Sequence, residues 1–383
     1  MNKNIKKILF ITGTRADYGK IKSLIKKVEG SSVFEAYIYV SGMHLLEVLG
    51  NTYEEVLKDG YKNIQIAYDQ ANTRVASYDL GNVICSLTGY VRKIKPDMIV
   101  IHGDRIDALA GAVVGALSNI RVAHIEGGEV SGTIDESIRH AISKFAHVHL
   151  VSNEEAKRRL VQLGEDINDI FVIGSPDIDL MLSDDLPSIE DSKERYGISF
   201  ENYGILMYHP VTTEFEHLGK NIKNVVDALI KSDKKCIVIY PNNDLGYELI
   251  LEEYKRFDDE KRFKIFPSLR FEYFLTLLKN ADFIAGNSSA GIREAAVYGI
   301  PAIDIGNRQT GRYDTKKSPN IQHCSDNYSE ILNALSNIDK HRVISKMFGD
   351  GKSTEHFYEI LCNEKIWNME LQKKFHELTW SMS

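Results

Sequence analysis

The stretch Asp97–Ile125, DMIVIHGDRIDALAGAVVGALSNIRVAHI, passes from an apolar run through a short polar turn into a segment of helical period, then into a second apolar run. DMIVIH (97–102) and RVAHI (121–125) are apolar throughout rather than alternating, the pattern of strands covered on both faces. A helix over 107–117 between them makes the pair parallel, since a crossover helix returns the chain to the same end of the sheet. The rhythm extends outward in both directions. KILFIT (7–12), FEAYIYV (34–40), HVHLV (147–151) and IFVIG (170–174) are further strands, with helical segments at 18–28, 82–94, 134–145 and 153–163. After a polar stretch, DDLPSIEDSKERYGISFEN (184–202), it restarts with YGILMY (203–208), KKCIVIY (234–240), RFKIF (262–266), ADFIAG (281–286) and PAIDIG (301–306). Helices follow at 326–337 and 353–362.

The pattern predicts an α/β protein of two Rossmann-like domains, residues 1–175 and 176–363, with a final helix at 364–379 inside a C-terminal piece, 364–383, whose docking partner is open. At 383 residues the chain is long enough for two cores. Its 43% hydrophobic and 26% charged content is that of a soluble protein, and no apolar run reaches the length of a membrane span. The opening MNKNIKKILFITGT puts lysines before an apolar stretch, but no small-residue cleavage site follows, so it reads as a first strand rather than a signal peptide. Cys85, Cys236, Cys324 and Cys362 lie far apart with no metal-ligand spacing and read as reduced thiols of a cytoplasmic protein. A net charge of −7 argues against a general nucleic-acid binder but leaves room for a phosphorylated ligand held by local arginines.

In parallel sheets ligands bind beyond the carboxyl ends of strands, and polar residues collect there in this chain. Gly13-Thr14-Arg15-Ala16-Asp17-Tyr18 follows the first strand and opens a helix; a plain turn with Asp17 as cap accounts for it, but Arg15 adds a charge suited to an anion. The dinucleotide fingerprint GxGxxG is absent. His102-Gly103-Asp104-Arg105 ends the most apolar strand. His124-Ile125-Glu126-Gly127-Gly128-Glu129 is followed by Asp135-Glu136 and Arg139-His140; a capped helix start explains Asp135 and Glu136 but not Glu126, which precedes the glycines. Carboxylates crowded away from water acquire divergent pKa values, as acid–base chemistry requires.

The second half offers His209 in Tyr208-His209-Pro210-Val211-Thr212-Thr213-Glu214, and the segment Gly286-Asn287-Ser288-Ser289-Ala290-Gly291-Ile292-Arg293-Glu294. Two hydroxyls and free N–H groups at a helix start suit a diphosphate, Glu294 suits ribose hydroxyls, and Arg308 in Gly306-Asn307-Arg308-Gln309 reaches towards the same charge. Backbone near Ser268–Arg270 is placed to read a base. The twelve histidines form no metal-binding motif; His147 and His149 read as buried or strand-face residues.

HGDR, HIEGGEVSGTIDESIRH, HPVTTE and GNSSAGIREA, in this order, resemble the hydrolysing UDP-N-acetylglucosamine 2-epimerases and their relatives acting on nucleotide-linked N,N′-diacetylbacillosamine. The likeness runs from GTRADY to GNRQTGR; non-hydrolysing epimerases look like HVEAGLR and HRRE where HIEGGEV and HPVTT stand here. The resemblance implies the glycosyltransferase-B arrangement, with an active site in the cleft between domains. It implies Asp104, Glu126, Asp135 and His209 as catalytic residues. Arg15, Gly19, His44, Arg105, Glu136, Asn242, Ser268, Leu269, Ser288, Ser289, Glu294 and Arg308 would bind substrate or nucleotide. Gly19 stands where close relatives often carry serine, removing one hydroxyl. No metal and no cofactor is implied; the partner is a nucleotide-linked N-acetylhexosamine, and the chain is expected to form a homodimer or homotetramer. The implied reaction is anti elimination to a 2-acetamidoglucal followed by addition of water, serving sialic acid-type sugar synthesis. UDP- or GDP-diacetylbacillosamine is the alternative substrate, and a transferase of the same fold is the competing activity; it gives no reason for the carboxylates between Glu126 and Glu136.

Overall fold

In the computed structural model of the chain, the described residues are 5–47, 50–69, 75–130, 134–211, 214–242, 244–258, 261–314, 316 and 318–377. They form two compact units: residues 1–182 together with 349–383, and residues 183–348. The strands of the first unit are β1 (Lys6–Thr12), β2 (Phe34–Val40), β3 (Ile64–Ile66), β4 (Met98–His102), β5 (Arg121–Ile125), β6 (Val148–Val151) and β7 (Ile170–Val172). They pair in the order β3-β2-β1-β4-β5-β6-β7. All these pairings are parallel. In the second unit β8 (Gly204–Met207), β9 (Cys236–Ile239), β10 (Phe263–Phe266), β11 (Phe283–Gly286), β12 (Ala302–Ile305) and β13 (Ile321–Cys324) make a sheet of order β10-β9-β8-β11-β12-β13. These pairings too are parallel.

Each sheet starts in its middle, grows to one edge, then restarts on the other side of its first strand. The reversal lies between β1 and β4 in one unit and between β8 and β11 in the other. Loops leaving the carboxyl ends there diverge to opposite faces and leave a crevice, the usual ligand position in such sheets.

Every residue of β4 is buried, because helices cover both faces of the sheet. The helix Ile106–Leu117 achieves close contact by being small: Ala108, Ala110, Gly111, Ala112 and Gly115 are buried along it. A Cβ on Gly111 would stand 2.6 Å from Ile11 Cδ1 and 2.7 Å from Ile101 Cγ2, so glycine lets the helix lie against β1 and β4. Its first turn is thereby delivered to the crevice between those strands.

The domain boundaries differ from the sequence expectation. The first unit extends to Leu182, and residues 349–363, expected in the second domain, belong to the first. The helix Ser353–Cys362 packs on the helix Arg15–Glu29, with Phe357 fully buried and its ring 6.2 Å from that of Phe10. Full burial of such a side chain stabilises by about 2–3 kcal/mol. The expected helix at 364–379 is only Glu364–Asn368, ended by extended backbone at Met369. The chain then follows the first unit irregularly: Arg121 Nε donates to Ile366 O at 2.8 Å, and His147 Nε2 lies 2.8 Å from Leu371 O. Two edge strands, β3 and β13, were not anticipated. Among the described residues no helix is long and apolar enough to cross a membrane.

Candidate active site

In the first unit the loop after β1 turns at Gly13 and starts the helix Arg15–Glu29, capped by Thr14, whose side-chain oxygen accepts from Asp17 N. The loop after β4 carries His102, Gly103 and Asp104, and that after β5 begins at Glu126; His102 and Ile125 are register partners, so the two loops are neighbours. His102 Nδ1 lies 3.2 Å from Asp17 Oδ1, and His102 Nε2 lies 3.2 Å from Glu126 Oε2. Glu126 Oε2 is also 3.4 Å from Lys20 Nζ, which stands 3.5 Å from Asp177 Oδ2. Ser175 Oγ donates to the other oxygen of Glu126. Burial works against charge on His102, but Glu126 and Asp17 prevail and hold its pKa up to about 9. Burial also pushes Asp17 towards neutrality, and His102 outweighs it, leaving Asp17 below the usual carboxylate range.

Asp104 is shifted in the opposite direction to Asp17. Its carboxylate pairs with Arg139, which also donates to Glu129 O at 3.0 Å. Burial, with the charges of Asp135 and Asp17, outweighs Arg139 and Arg105 and raises the Asp104 pKa. Asp104, Arg105, Arg139 and Asp135 are thus within electrostatic reach of one another. Asp135 and Glu136 occupy the first turn of the helix Ile134–Phe145, and Glu136 Oε1 is 3.9 Å from His140 Nε2. Residues 131–133 of the expected loop lie outside the described residues.

Two expected ligands of the first unit have their side chains engaged within the protein. Arg15 forms a two-pronged pair with Glu55. His44 is buried, with Nε2 2.9 Å from Thr12 Oγ1 and Nδ1 2.8 Å from Thr52 Oγ1, and burial lowers its pKa to about 4. Both nitrogens being occupied, His44 holds the loop after β2. Gly19 lies within the helix Arg15–Glu29. His147 and His149 are buried as expected, His149 Nε2 being 3.1 Å from Glu165 Oε2.

Sequence reasoning missed Asp107. Its carboxyl occupies the space a side chain at Gly13 would fill and lies under Gly42 as well, joining the loops after β1 and β2. Burial, then the charges of Asp17 and Asp69, against a hydrogen bond from Ser41, raise its pKa to about 7. In the sequence it is indistinguishable from an ordinary acidic residue in a first helical turn.

In the second unit Asn287 organises the crevice. Its Oδ1 accepts from His209 N at 2.7 Å and its Nδ2 donates to His209 O at 2.9 Å, tying the loop after β11 to that after β8. Its carbonyl accepts from Arg308 Nη1 at 3.1 Å and Gln309 Nε2 at 2.7 Å, bringing in the loop after β12. Asn242 N, after β9, donates to His209 Nδ1 at 3.0 Å. His209, Asn242, Asn287 and Arg308 are therefore one assembly. Gly286 (φ 129°) begins it: a side chain there would strike Met207 O.

Burial, seconded by the charge of Arg308, lowers the His209 pKa to about 3. With Nδ1 accepting, the proton of the neutral ring is on Nε2, so His209 offers a hydrogen-bond donor. Ser288 caps the turn that follows, its Oγ 3.3 Å from Ala290 N. The single helix expected from this segment is two short ones, Ser289–Ile292 and Glu294–Tyr298, broken at Arg293. Glu294 is buried, and Ser268 is exposed beside buried Leu269 in the loop between β10 and the helix Phe271–Lys279. Thr212 and Thr213 lie outside the described residues.

Residues 26–362 match the model of the family described as UDP-N-acetylglucosamine 2-epimerase. The chain is 47% identical over 376 residues to a Neisseria meningitidis protein named UDP-N-acetylglucosamine 2-epimerase, covering 98% of this chain and all of that one. It is 34% identical to the UDP-N,N′-diacetylbacillosamine 2-epimerase (hydrolyzing) of Legionella pneumophila, over 96% of this chain and 99% of that one. Among solved structures, the UDP-GlcNAc 2-epimerase of Methanocaldococcus jannaschii in complex with UDP-GlcNAc and UDP is similar with a TM-score of 0.77 and 25% identity, covering 93% of this chain and 99% of that one. These likenesses bear out the expected fold class, and the chain belongs to the UDP-N-acetylglucosamine 2-epimerase family.

Proposed function

We propose that the protein is a hydrolysing 2-epimerase converting UDP-N-acetylglucosamine and water to N-acetylmannosamine and UDP, for sialic acid-type sugar synthesis in the cytoplasm. The observation that carries this reading is the pair of acidic loops after β4 and β5: Glu126 is held beside cations while Asp104 is pushed towards neutrality. Two carboxyl groups whose surroundings push their proton affinities apart suit an elimination followed by re-protonation. The 47% identity to the Neisseria protein favours N-acetylglucosamine, and the relative named as hydrolysing supports release of the nucleotide.

In the first half-reaction the C2 proton passes to a protein base while the C1–O bond to the diphosphate breaks and its electron pair leaves with UDP. The C2–H electrons form the C1=C2 bond of 2-acetamidoglucal. A C2–H is a weak acid, so departure of UDP runs ahead of proton loss. The carboxylates among Asp104, Glu126 and Asp135 stabilise the resulting positive character and carry the protons. Asp104, with its raised pKa, suits the donor to C2 in the second half-reaction, when water oxygen adds to C1 and gives its proton to one of the other carboxylates. Arg308, His209 Nε2–H, Ser288 and Ser289 are assigned to the diphosphate, where fixed donors stabilise the leaving group. Arg105 adds charge from the first unit, Arg15 is assigned there in exchange for its pair with Glu55, and Asn242, Ser268, Leu269 and Glu294 are assigned to the nucleoside. Glu136 is assigned to the sugar; the engaged His44 and helical Gly19 support rather than touch it.

The test is incubation with UDP-N-acetylglucosamine in D2O without acceptor, followed by proton NMR. Free UDP with N-acetylmannosamine deuterated at C2 is expected. A nucleotide that stays attached would mean a non-hydrolysing epimerase, and no turnover without acceptor a transferase. Faster release from UDP- or GDP-diacetylbacillosamine would reassign the substrate.

A further inference from the structure

His102 has no part in the reaction as set out above, yet its ring is the link in a buried chain of charge. The side chains of Asp17, His102 and Glu126 are 14%, 7% and 7% exposed, and each ring nitrogen lies 3.2 Å from a carboxylate oxygen of one neighbour. Nδ1 is in hydrogen-bond contact with Asp17, whereas Nε2 makes no hydrogen bond and faces Glu126 as an ion pair, so what the ring offers Glu126 is the charge of the imidazolium. Glu126 in turn adopts left-handed backbone (φ 62°), a conformation unfavourable for a side-chain-bearing residue. Strained backbone persists where the surroundings over-determine it. Glu126 N donates to Leu150 O at 2.9 Å, and its carboxylate meets Ser175, Lys20 and His102.

We propose that His102 is a positioning residue for Glu126, holding that carboxylate ionised and in a single orientation throughout turnover. The proposal rests on the reading of Glu126 as a group of the reaction. Around His102 the charged neighbours are Asp17 and Lys20 from the helix Arg15–Glu29 and Glu126 from the loop after β5. The adjacent His124 on β5 is kept neutral by burial, its pKa lowered to about 3. Lys20 opposes the imidazolium and the two carboxylates outweigh it, so the ring keeps its proton to about pH 9. Deprotonation then removes one of the two cations beside Glu126 and leaves one ring nitrogen facing a carboxylate without a hydrogen.

The test compares the wild type with His102→Gln, which keeps an N–H donor but no charge, and His102→Ala, which keeps neither. In the alanine variant kcat is expected to fall by about 100-fold or more, with KM and UDP affinity within about threefold of wild type; glutamine restores part of the loss. Wild-type kcat declines above about pH 9, and this alkaline limb is absent from the glutamine variant. A folded alanine variant with near-normal kcat, or an alkaline limb that survives in His102→Gln, overturns the proposal. Should the alanine variant not fold, NMR titration of the His102 ring in wild type and Glu126→Gln decides. Its midpoint is expected to drop from about pH 9 towards the ordinary value of about 6.5 in the variant, and an unchanged midpoint overturns the link. A wild type that releases UDP from none of the nucleotide sugars sinks the functional reading alone, since the titration still reports on the contact.

Discussion

Asn287 secures both polar groups of the His209 backbone with one side chain and both Arg308 and Gln309 with its carbonyl. It is fully buried, so truncation to alanine leaves unpaired groups where water is excluded, at about 1–3 kcal/mol for each. Asn287→Ala should therefore lower the urea midpoint and weaken UDP binding together; weakened binding at unchanged stability would make Asn287 a ligand contact instead of a scaffold. Ser288→Ala combined with Ser289→Ala should cost about 1 kcal/mol of stability through the lost Ser288 cap and weaken UDP binding by about tenfold, a loss of roughly one or two hydrogen bonds. Unchanged affinity in isothermal titration would remove those hydroxyls from the diphosphate site. Glu126→Gln should cut turnover by at least about 100-fold while UDP affinity holds; joint loss of both would make its role structural. The strand-end loops were legible in the sequence because charged and glycine-rich segments directly after apolar runs have few structural uses. Roles within them were less so. Asn287 and Asp107 resemble an ordinary turn residue and an ordinary helix-start acid until the chain folds around them.

At the level of elements, the strands buried on both faces announced themselves as continuous apolar runs, and the observed central strands fall within those runs. The edge strands did not: all of Ile64–Ile66 is partly exposed, and β13 carries Gln322 and His323 in its middle, so neither has the composition of a doubly covered strand. The helix Ser353–Cys362 was legible as a helix, but an apolar helical face does not name its partner. The same gap made the final segment read as one long helix, whereas its packing against β5 and against His147 just before β6 uses backbone carbonyls that helix formation would have consumed. The helix Ile106–Leu117 offers the sharpest test of element placement. Gly111→Val forces a branched side chain against Ile11 and Ile101, and overpacking of this kind costs about 1–3 kcal/mol. Because the first turn of that helix carries Asp107 beneath Gly13 and Gly42, kcat should fall along with the melting temperature. UDP affinity, assigned mainly to the second unit, should change little; a variant as stable and active as wild type would show that the helix can shift at no cost.

For the whole molecule, the titrating groups predict a stability maximum close to pH 6.5. Burial holds His44, His124 and His209 at about 4, 3 and 3 in the folded chain, while the same side chains titrate near 6.5 when unfolded. Below pH 6.5 the unfolded chain binds protons that these three refuse, so stability falls with acidification at about 1.4 kcal/mol per pH unit for each group. His147 and His149, also lowered by burial, act in the same direction. Asp107 opposes them: raised to about 7, it makes the folded chain the stronger proton binder between about pH 4 and pH 7, but it is one group against several. On the alkaline side the sign reverses through His102. Its folded pKa of about 9 exceeds the unfolded value, so its contribution is complete below pH 6.5 and disappears as the pH rises to about 9. Urea midpoints measured from about pH 5 to about pH 10 should trace a dome, and His102→Gln should flatten its alkaline shoulder without altering the acidic one. A wild-type midpoint that is level between pH 6.5 and pH 5 would mean that the buried histidines accept protons in place, through loops that open far more readily than their hydrogen bonds suggest.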